Sequence, residues 1–146
     1  AATPYFICYS ATAIITRLLG GRIADQVGEI RLIPIALIIT SIGFVSLVFL
    51  NGWVMLCFSG LITGTGHGIL FPSLMASAIR HIDIYARGQA NGIITGGMDL
   101  GVFCGSIIMG LLGDWFGFQS IFVTASCALL IGLLVFRTTV RALAAK

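Results

Sequence analysis

A long stretch of the chain carries no ionised side chain. From Leu32 to Ile79 there is no aspartate, glutamate, lysine or arginine, and the pair Asn51-Gly52 supplies the only turn signal. A helix needs about 20 apolar residues to cross a bilayer core, so this stretch is long enough for two crossings. The whole chain is 58% hydrophobic and 9% charged, whereas soluble domains carry about 25% charged residues. The sequence therefore predicts an all-α membrane protein, a polytopic bundle of transmembrane helices.

Five segments are apolar enough to be predicted as spans. They cover approximately residues 2–20, 32–50, 53–79, 89–113 and 118–137. Basic residues accumulate in short cytoplasmic loops, and under this division all of them fall on one side of the membrane. They are Arg17, Arg22, Arg31, Arg80, Arg87, Arg137, Arg141 and Lys146. We therefore expect a multi-pass protein of the cell (inner) membrane whose first loop and C-terminus are cytoplasmic.

Several classes of function are disfavoured by composition and spacing. The net charge is +3, but the basic residues lie thinly spread at helix ends, which is unlike a nucleic-acid surface. The four cysteines each lie in a different predicted span, without metal-ligand spacing: Cys8, Cys57, Cys104 and Cys127. No nucleophile with a base and no phosphate-binding loop is present. We expect no nucleic-acid partner, no metal, no cofactor and no enzymatic activity.

Small residues recur at four-residue spacing in two of the predicted spans. Such rows let helix backbones approach closely inside a membrane. The rows are Gly60, Gly64 and Gly68 in the third span, and Gly97, Gly101 and Gly105 in the fourth. Pro72 lies well inside the third span and is expected to bend it. That bend is either a packing kink or a gating hinge.

A short motif occurs twice. Residues 21–28 and 110–117 both read G-x-x-x-D-x-x-G. Three predicted spans separate the copies, so they lie on opposite faces of the membrane, as expected for inverted repeats.

Two ionisable residues remain inside the spans. Asp99 lies 11 residues past Gly88, about 16 Å along its helix and near the middle of the core. His67 lies at a comparable depth on the preceding span, and the two side chains are placed to face one another. A carboxylate at this depth must be paired, hydrated or protonated. Asp99, with His67, is therefore a candidate site for a proton or a cationic substrate group. The alternative is a structural hydrogen-bonded acid, or a protonated acid at a helix contact.

The polar stretch GGRIADQVGEIR resembles the loop motif of the major facilitator superfamily, G-x-L-A-D-R-x-G-R-R. Gly21, Ala24, Asp25 and Gly28 match, and Ile23 stands in place of leucine. The basic positions are replaced, by Gln26 and by Glu29-Ile30 before Arg31. The later stretches ITGTGHGILFPSL and GGMDLGVFCGSIIMGLLGDWFGF are similar to the closing helices of bacterial members. The resemblance covers essentially the whole chain and implies the last five of twelve helices.

This resemblance implies a secondary transporter that works by alternating access between two six-helix halves. Its partners would be the lipid bilayer, the N-terminal half of the same protein, a small-molecule substrate and protons, with proton-coupled efflux as the expected direction. Asp25 would act as a conformational latch, supported by Gly21, Gly28, Arg22 and Arg31. The alternatives are a membrane subunit of an energy-coupling enzyme with a proton path, and a non-transporting receptor or assembly protein.

Overall fold

Five long α-helices make up the described part of the chain. The computed structural model describes residues 2–49, 51–80 and 82–144. The helices are α1 (Thr3–Val27), α2 (Glu29–Val48), α3 (Trp53–Ile79), α4 (Arg87–Phe116) and α5 (Phe118–Ala144). Each predicted span corresponds to one helix, and no strand occurs within the described ranges. The predicted all-α class is confirmed.

Four of these helices, α2 to α5, are long and apolar enough to cross a membrane. Helix α1 has the required length but is less apolar, because tyrosines, threonines and Arg17 interrupt its hydrophobic residues. It also continues seven residues beyond the predicted end of the first span, at residue 20. The division into five spans therefore remains a prediction at α1.

The polar stretch is helical over most of its length, which the expectation of a loop did not anticipate. Position 21 lies within α1, and α2 begins at Glu29, so Gly28 alone joins the two helices. Gly28 has a φ of 87°, a conformation that a residue with a Cβ rarely adopts. Its N–H donates to the carbonyl of Ala24 at 2.9 Å, which closes the last turn of α1. The reversal of chain direction thus occurs at a single glycine.

The second copy of the repeated motif adopts the same backbone arrangement. Helix α4 ends at Phe116, Gly117 has a φ of 84°, and α5 begins at Phe118. The N–H of Gly117 donates to the carbonyl of Gly113 at 3.0 Å, four residues back as in the first copy. The final glycine of each motif therefore ends one helix and permits the next to start immediately.

Side-chain contacts between connections show that the helices alternate in direction. Arg80, at the end of α3, forms an ion pair of 2.9 Å with Glu29, at the start of α2. At the opposite end, the amide of Gln119 on α5 donates to the carbonyl of Val48 on α2 at 3.4 Å. The first and third connections therefore lie at one end of the bundle. The second and fourth lie at the other, as the distribution of basic residues predicts.

Helix α3 occupies the centre and packs on α1 and α2, while α5 packs on the outer side of α2. Small and hydroxyl-bearing residues make these contacts. Ser41 and Ser126 hydrogen-bond at 2.6 Å between α2 and α5, and Ser46 and Ser59 do so at 2.6 Å between α2 and α3. Because no water is excluded between helices in lipid, such bonds and close backbone contact replace the hydrophobic effect as the source of association.

Two glycine rows have different surroundings. Gly60, Gly64 and Gly68 face α1, and a Cβ built on each would meet the backbone of α1. By contrast, a Cβ on Gly97, Gly101 or Gly105 would meet no described atom within 4 Å. Helix α4 has no fully buried residue and packs mainly on α5. A packing role for the α4 row therefore remains a prediction.

Candidate functional site

An open cavity of about 310 Å³ lies between α1 and α3. Its wall combines polar and apolar groups, and five of the six residues come from α1. They are Tyr9, Ser10, Ala13, Ile14, Arg17 and His67. The α1 residues recur at intervals of one, three and four positions, which places them on one helix face. We call this space the Arg17 cavity.

Glycines on α3 allow the two walls to approach. Gly64 lies one turn before His67 and contacts the backbone of α1 at Tyr9, while Gly68, the next residue after His67, contacts it at Ala13. The ring of His67 lies 5.9 Å from the ring of Tyr9, inclined by 51°. His67 lies 14 residues from the start of α3 and 12 from its end, about 20 Å and 18 Å respectively. The glycine row thus places the imidazole beside α1 near the middle of α3.

Arg17 supplies the permanent charge of the cavity. Its guanidinium carbon lies 5.1 Å from the centre of the Phe71 ring, a cation–π contact with α3. Because α1 continues to Val27, Arg17 lies ten residues inside the helix, about 15 Å from its end. None of the described residues that line the cavity is acidic, so its lining is cationic.

In the sequence alone, Arg17 is one of the basic residues beside the first predicted connection. That interpretation depends on ending the first span at residue 20, whereas the helix has no such end. The sequence nevertheless contains a signal that marks Arg17 as a functional candidate, because it is the single charged residue between Ala13 and Leu19. An arginine within a membrane helix is by default a functional candidate.

The predicted pair of His67 and Asp99 is not a feature of this cavity. The ring contact of His67 is to Tyr9 on α1, and Asp99 is not among the residues that line the space. Asp99 lies on α4 and is exposed, and α4 meets α3 over a short stretch only. A role for Asp99 therefore has to be considered separately from His67.

The motif residues are only partly described. Arg22 and Arg31 are exposed near the end where Glu29 pairs with Arg80, and Gly28 forms the turn. The side chains at positions 21 and 25 lie outside the described part of the structure, so the latch assigned to Asp25 remains a prediction.

Pro72 lies inside α3, which is helical on both sides of it. Its missing N–H leaves the carbonyl of Gly68 without the usual helical partner. Whether this position is a packing kink or a gating hinge remains a prediction.

Comparisons with known proteins agree with this architecture. The Major Facilitator Superfamily profile matches residues 5–145. An uncharacterised MFS-type transporter of Pseudomonas aeruginosa is 32% identical over 131 residues, which are 87% of this chain and 32% of that protein. One of Salmonella typhimurium is 34% identical over 55% of this chain and 21% of its own length. One of Methanocaldococcus jannaschii is 25% identical over 78% of this chain and 30% of its own length.

The chain thus spans about a third or less of the curated relatives it matches. The match extends from α1 to the end of α5 and includes both copies of the glycine motif and every residue of the Arg17 cavity. With a bundle of apolar helices and a profile that covers nearly all of it, this chain belongs to the major facilitator superfamily of membrane transporters.

Proposed function

We propose that the whole protein is a secondary active transporter that moves small organic solutes out of the cell by alternating access, coupled to protons. The observation that carries this proposal is the Arg17 cavity, a polar space among apolar helices. Its residues Ser10, Ile14, Arg17 and His67 remain exposed. A polar surface at this depth is costly against lipid. It is favourable as one wall of an aqueous pathway whose other wall is the N-terminal half.

Asp99 is the proposed proton-binding residue. It is exposed on α4 and lies 12 residues from the start of that helix, about 18 Å along it. Acidic residues inside transmembrane helices commonly form part of the proton relays of pumps and transporters. The residue is thereby suited to binding a proton on one side of the membrane and releasing it on the other.

We assign the conformational latch, the contact that would hold one access state, to the end of the bundle at Gly28. Asp25, supported by Gly21, Arg22, Gly28 and Arg31, would hold one access state by contact with the other half of the protein. A carboxylate docked at the N-terminus of a helix of that other half would contribute about 0.3–1 kcal/mol, enough to bias two states of similar free energy. The pairing of Glu29 with Arg80 at 2.9 Å supports a role for charge at this end.

Vesicles can test coupled efflux with a panel of organic compounds in place of one chosen substrate. Inside-out vesicles holding the full-length protein would be acidified inside, and a pH-sensitive acridine dye would report the gradient while the compounds are added one at a time. We expect a transported compound to discharge part of the gradient, because each molecule entering exchanges for protons. Vesicles lacking the protein are the control and should keep the gradient.

The alternatives predict other outcomes of the same measurement. A proton path belonging to an energy-coupling enzyme would leak protons whether or not an organic compound is present. A receptor or assembly protein would leave the gradient unchanged with every compound. Either result would contradict the proposal.

A further inference from the structure

We propose that the Arg17 cavity binds the carboxylate or phosphate group of a small organic anion, with Arg17 as the charged anchor and His67 as the second polar contact. This inference rests on the proposed transport function for its biological meaning. It names the class of substrate, which the sequence motifs do not assign.

The charge of the cavity is the first argument. An arginine side chain carries a permanent positive charge in proteins, and no acidic residue is among the described side chains that line the space around Arg17. The ion pair found within the described ranges joins Arg80 and Glu29 at the end of the bundle and does not involve Arg17. An arginine held at this depth beside a cavity without an acid is stabilised when an anionic ligand enters.

The contacts of Arg17 are the second argument. The guanidinium of Arg17 lies 5.1 Å from the centre of the Phe71 ring. The ring attracts the positive charge but does not replace a hydrogen-bond acceptor for the five N–H donors. A carboxylate or phosphate accepts two such donors at once, and these bidentate pairs are the strongest hydrogen bonds arginine makes. The ring also fixes the position of the guanidinium, so less side-chain freedom is lost on binding.

The size of the Arg17 cavity and its other lining residues favour a small organic ligand. A volume of about 310 Å³ is at the lower end for small-molecule sites. Ala13 and Ile14 supply an apolar wall, and the rings of Tyr9 and His67 lie side by side at 5.9 Å. This combination suits an anionic group attached to a compact apolar or aromatic body better than it suits an inorganic ion.

Benzoate and its neutral isostere benzamide test the proposal by binding alone. The full-length protein would be placed in nanodiscs of phosphatidylcholine, and the dissociation constants measured by titration calorimetry. We expect benzoate to bind at least about 10-fold more tightly than benzamide, and Arg17→Gln to remove that difference. Arg17→Lys keeps the positive charge but loses the planar pair of N–H donors, so it should retain part of the difference in affinity between benzoate and benzamide. Arg137→Gln removes one positive charge from exposed α5 and should change nothing.

Three outcomes would overturn the proposal. Equal affinities for benzoate and benzamide, or an Arg17→Gln protein that still prefers benzoate, would exclude an anion site at Arg17. Loss of benzoate binding when anionic lipid is added to the nanodiscs would show that a lipid headgroup is the occupant. A thermal melt of each variant in the same nanodiscs confirms folding. Because no gradient or flux is involved, failure here leaves the vesicle test of transport unaffected, and the reverse also holds.

Discussion

Replacing Gly64 with leucine is expected to destabilise the bundle by about 3 kcal/mol, the upper range for adding bulk to a packed interior. A Cβ built on Gly64 would overlap the carbonyl oxygen of Tyr9 and lie 3.1 Å from the Cα of the same residue. The obstructing atoms belong to the backbone of Tyr9 and cannot rotate away as a side chain can. A larger residue at position 64 must therefore push α1 away from α3. The midpoint of thermal unfolding in detergent and the yield of monodisperse full-length protein would measure the loss.

Gly132→Leu is the matched control for this change. Gly132 lies on α5, is exposed, and has no described atom within 4 Å of a built Cβ. Its replacement should not destabilise the protein, because nothing obstructs the side chain and leucine favours a helix interior over glycine by up to about 1 kcal/mol. If the two variants unfold at the same temperature, the close contact of α1 and α3 at Gly64 is wrong.

Replacing Asp99 with asparagine is expected to lower proton-driven efflux by about two orders of magnitude while substrate exchange continues. Asparagine has the shape of a protonated aspartate but cannot release a proton, so steps that require release stop. Counterflow, in which labelled substrate exchanges for unlabelled substrate across vesicles without a gradient, requires no net proton movement. The compound that discharges the pH gradient in the vesicle test would serve as substrate for both assays.

Asp114→Asn makes the same chemical change on the same helix and is the control. Asp114 is exposed and lies three residues before Gly117, the glycine that follows α4, where a carboxylate is expected to remain hydrated at the interface. Efflux through this variant should match the unmodified protein. If Asp99→Asn also retains the normal rate and pH dependence, Asp99 is not the proton-binding residue and the coupling part of the proposal is contradicted.

Much of the architecture could be predicted because hydropathy reports directly on what a helix contacts. The uninterrupted run from Leu32 to Ile79 identifies α2 and α3, and the predicted third span has the same bounds as α3, Trp53–Ile79. The two glycine motifs indicate related turns, and Gly28 and Gly117 have nearly equal positive φ values. These features depend on neighbouring residues along the chain, which is why the amino-acid sequence alone predicts them.

Helix ends and pairings between helices are less accessible from sequence. The first span is predicted to end at residue 20 because polarity indicates where lipid ends, whereas the helix itself continues to Val27. Polarity therefore does not show that Arg17 lies ten residues inside α1, where it lines the cavity. Similarly, equal depth suggests that His67 faces Asp99, but depth does not determine which face of a helix meets which neighbour. The Gly64 and Gly68 contacts direct that part of α3 toward α1.

The proposed function requires the face of α1 that lines the Arg17 cavity to belong to a pathway that opens alternately to the two sides of the membrane. Ile14 lines this cavity in the middle of α1 and is 61% exposed, whereas Ile131 lies in the middle of α5, does not line the Arg17 cavity, and is 60% exposed. Each would be replaced singly by cysteine in full-length protein lacking its native cysteines. A membrane-impermeant maleimide would then be applied to right-side-out and inside-out vesicles.

We expect Ile14→Cys to be labelled from both sides, and an imposed pH gradient to raise labelling from one side while lowering it from the other. Ile131→Cys should react from neither side, because a thiol facing lipid does not ionise readily. Equal labelling of the two positions, or labelling of Ile14→Cys from one side only under every gradient, would contradict alternating access along this face.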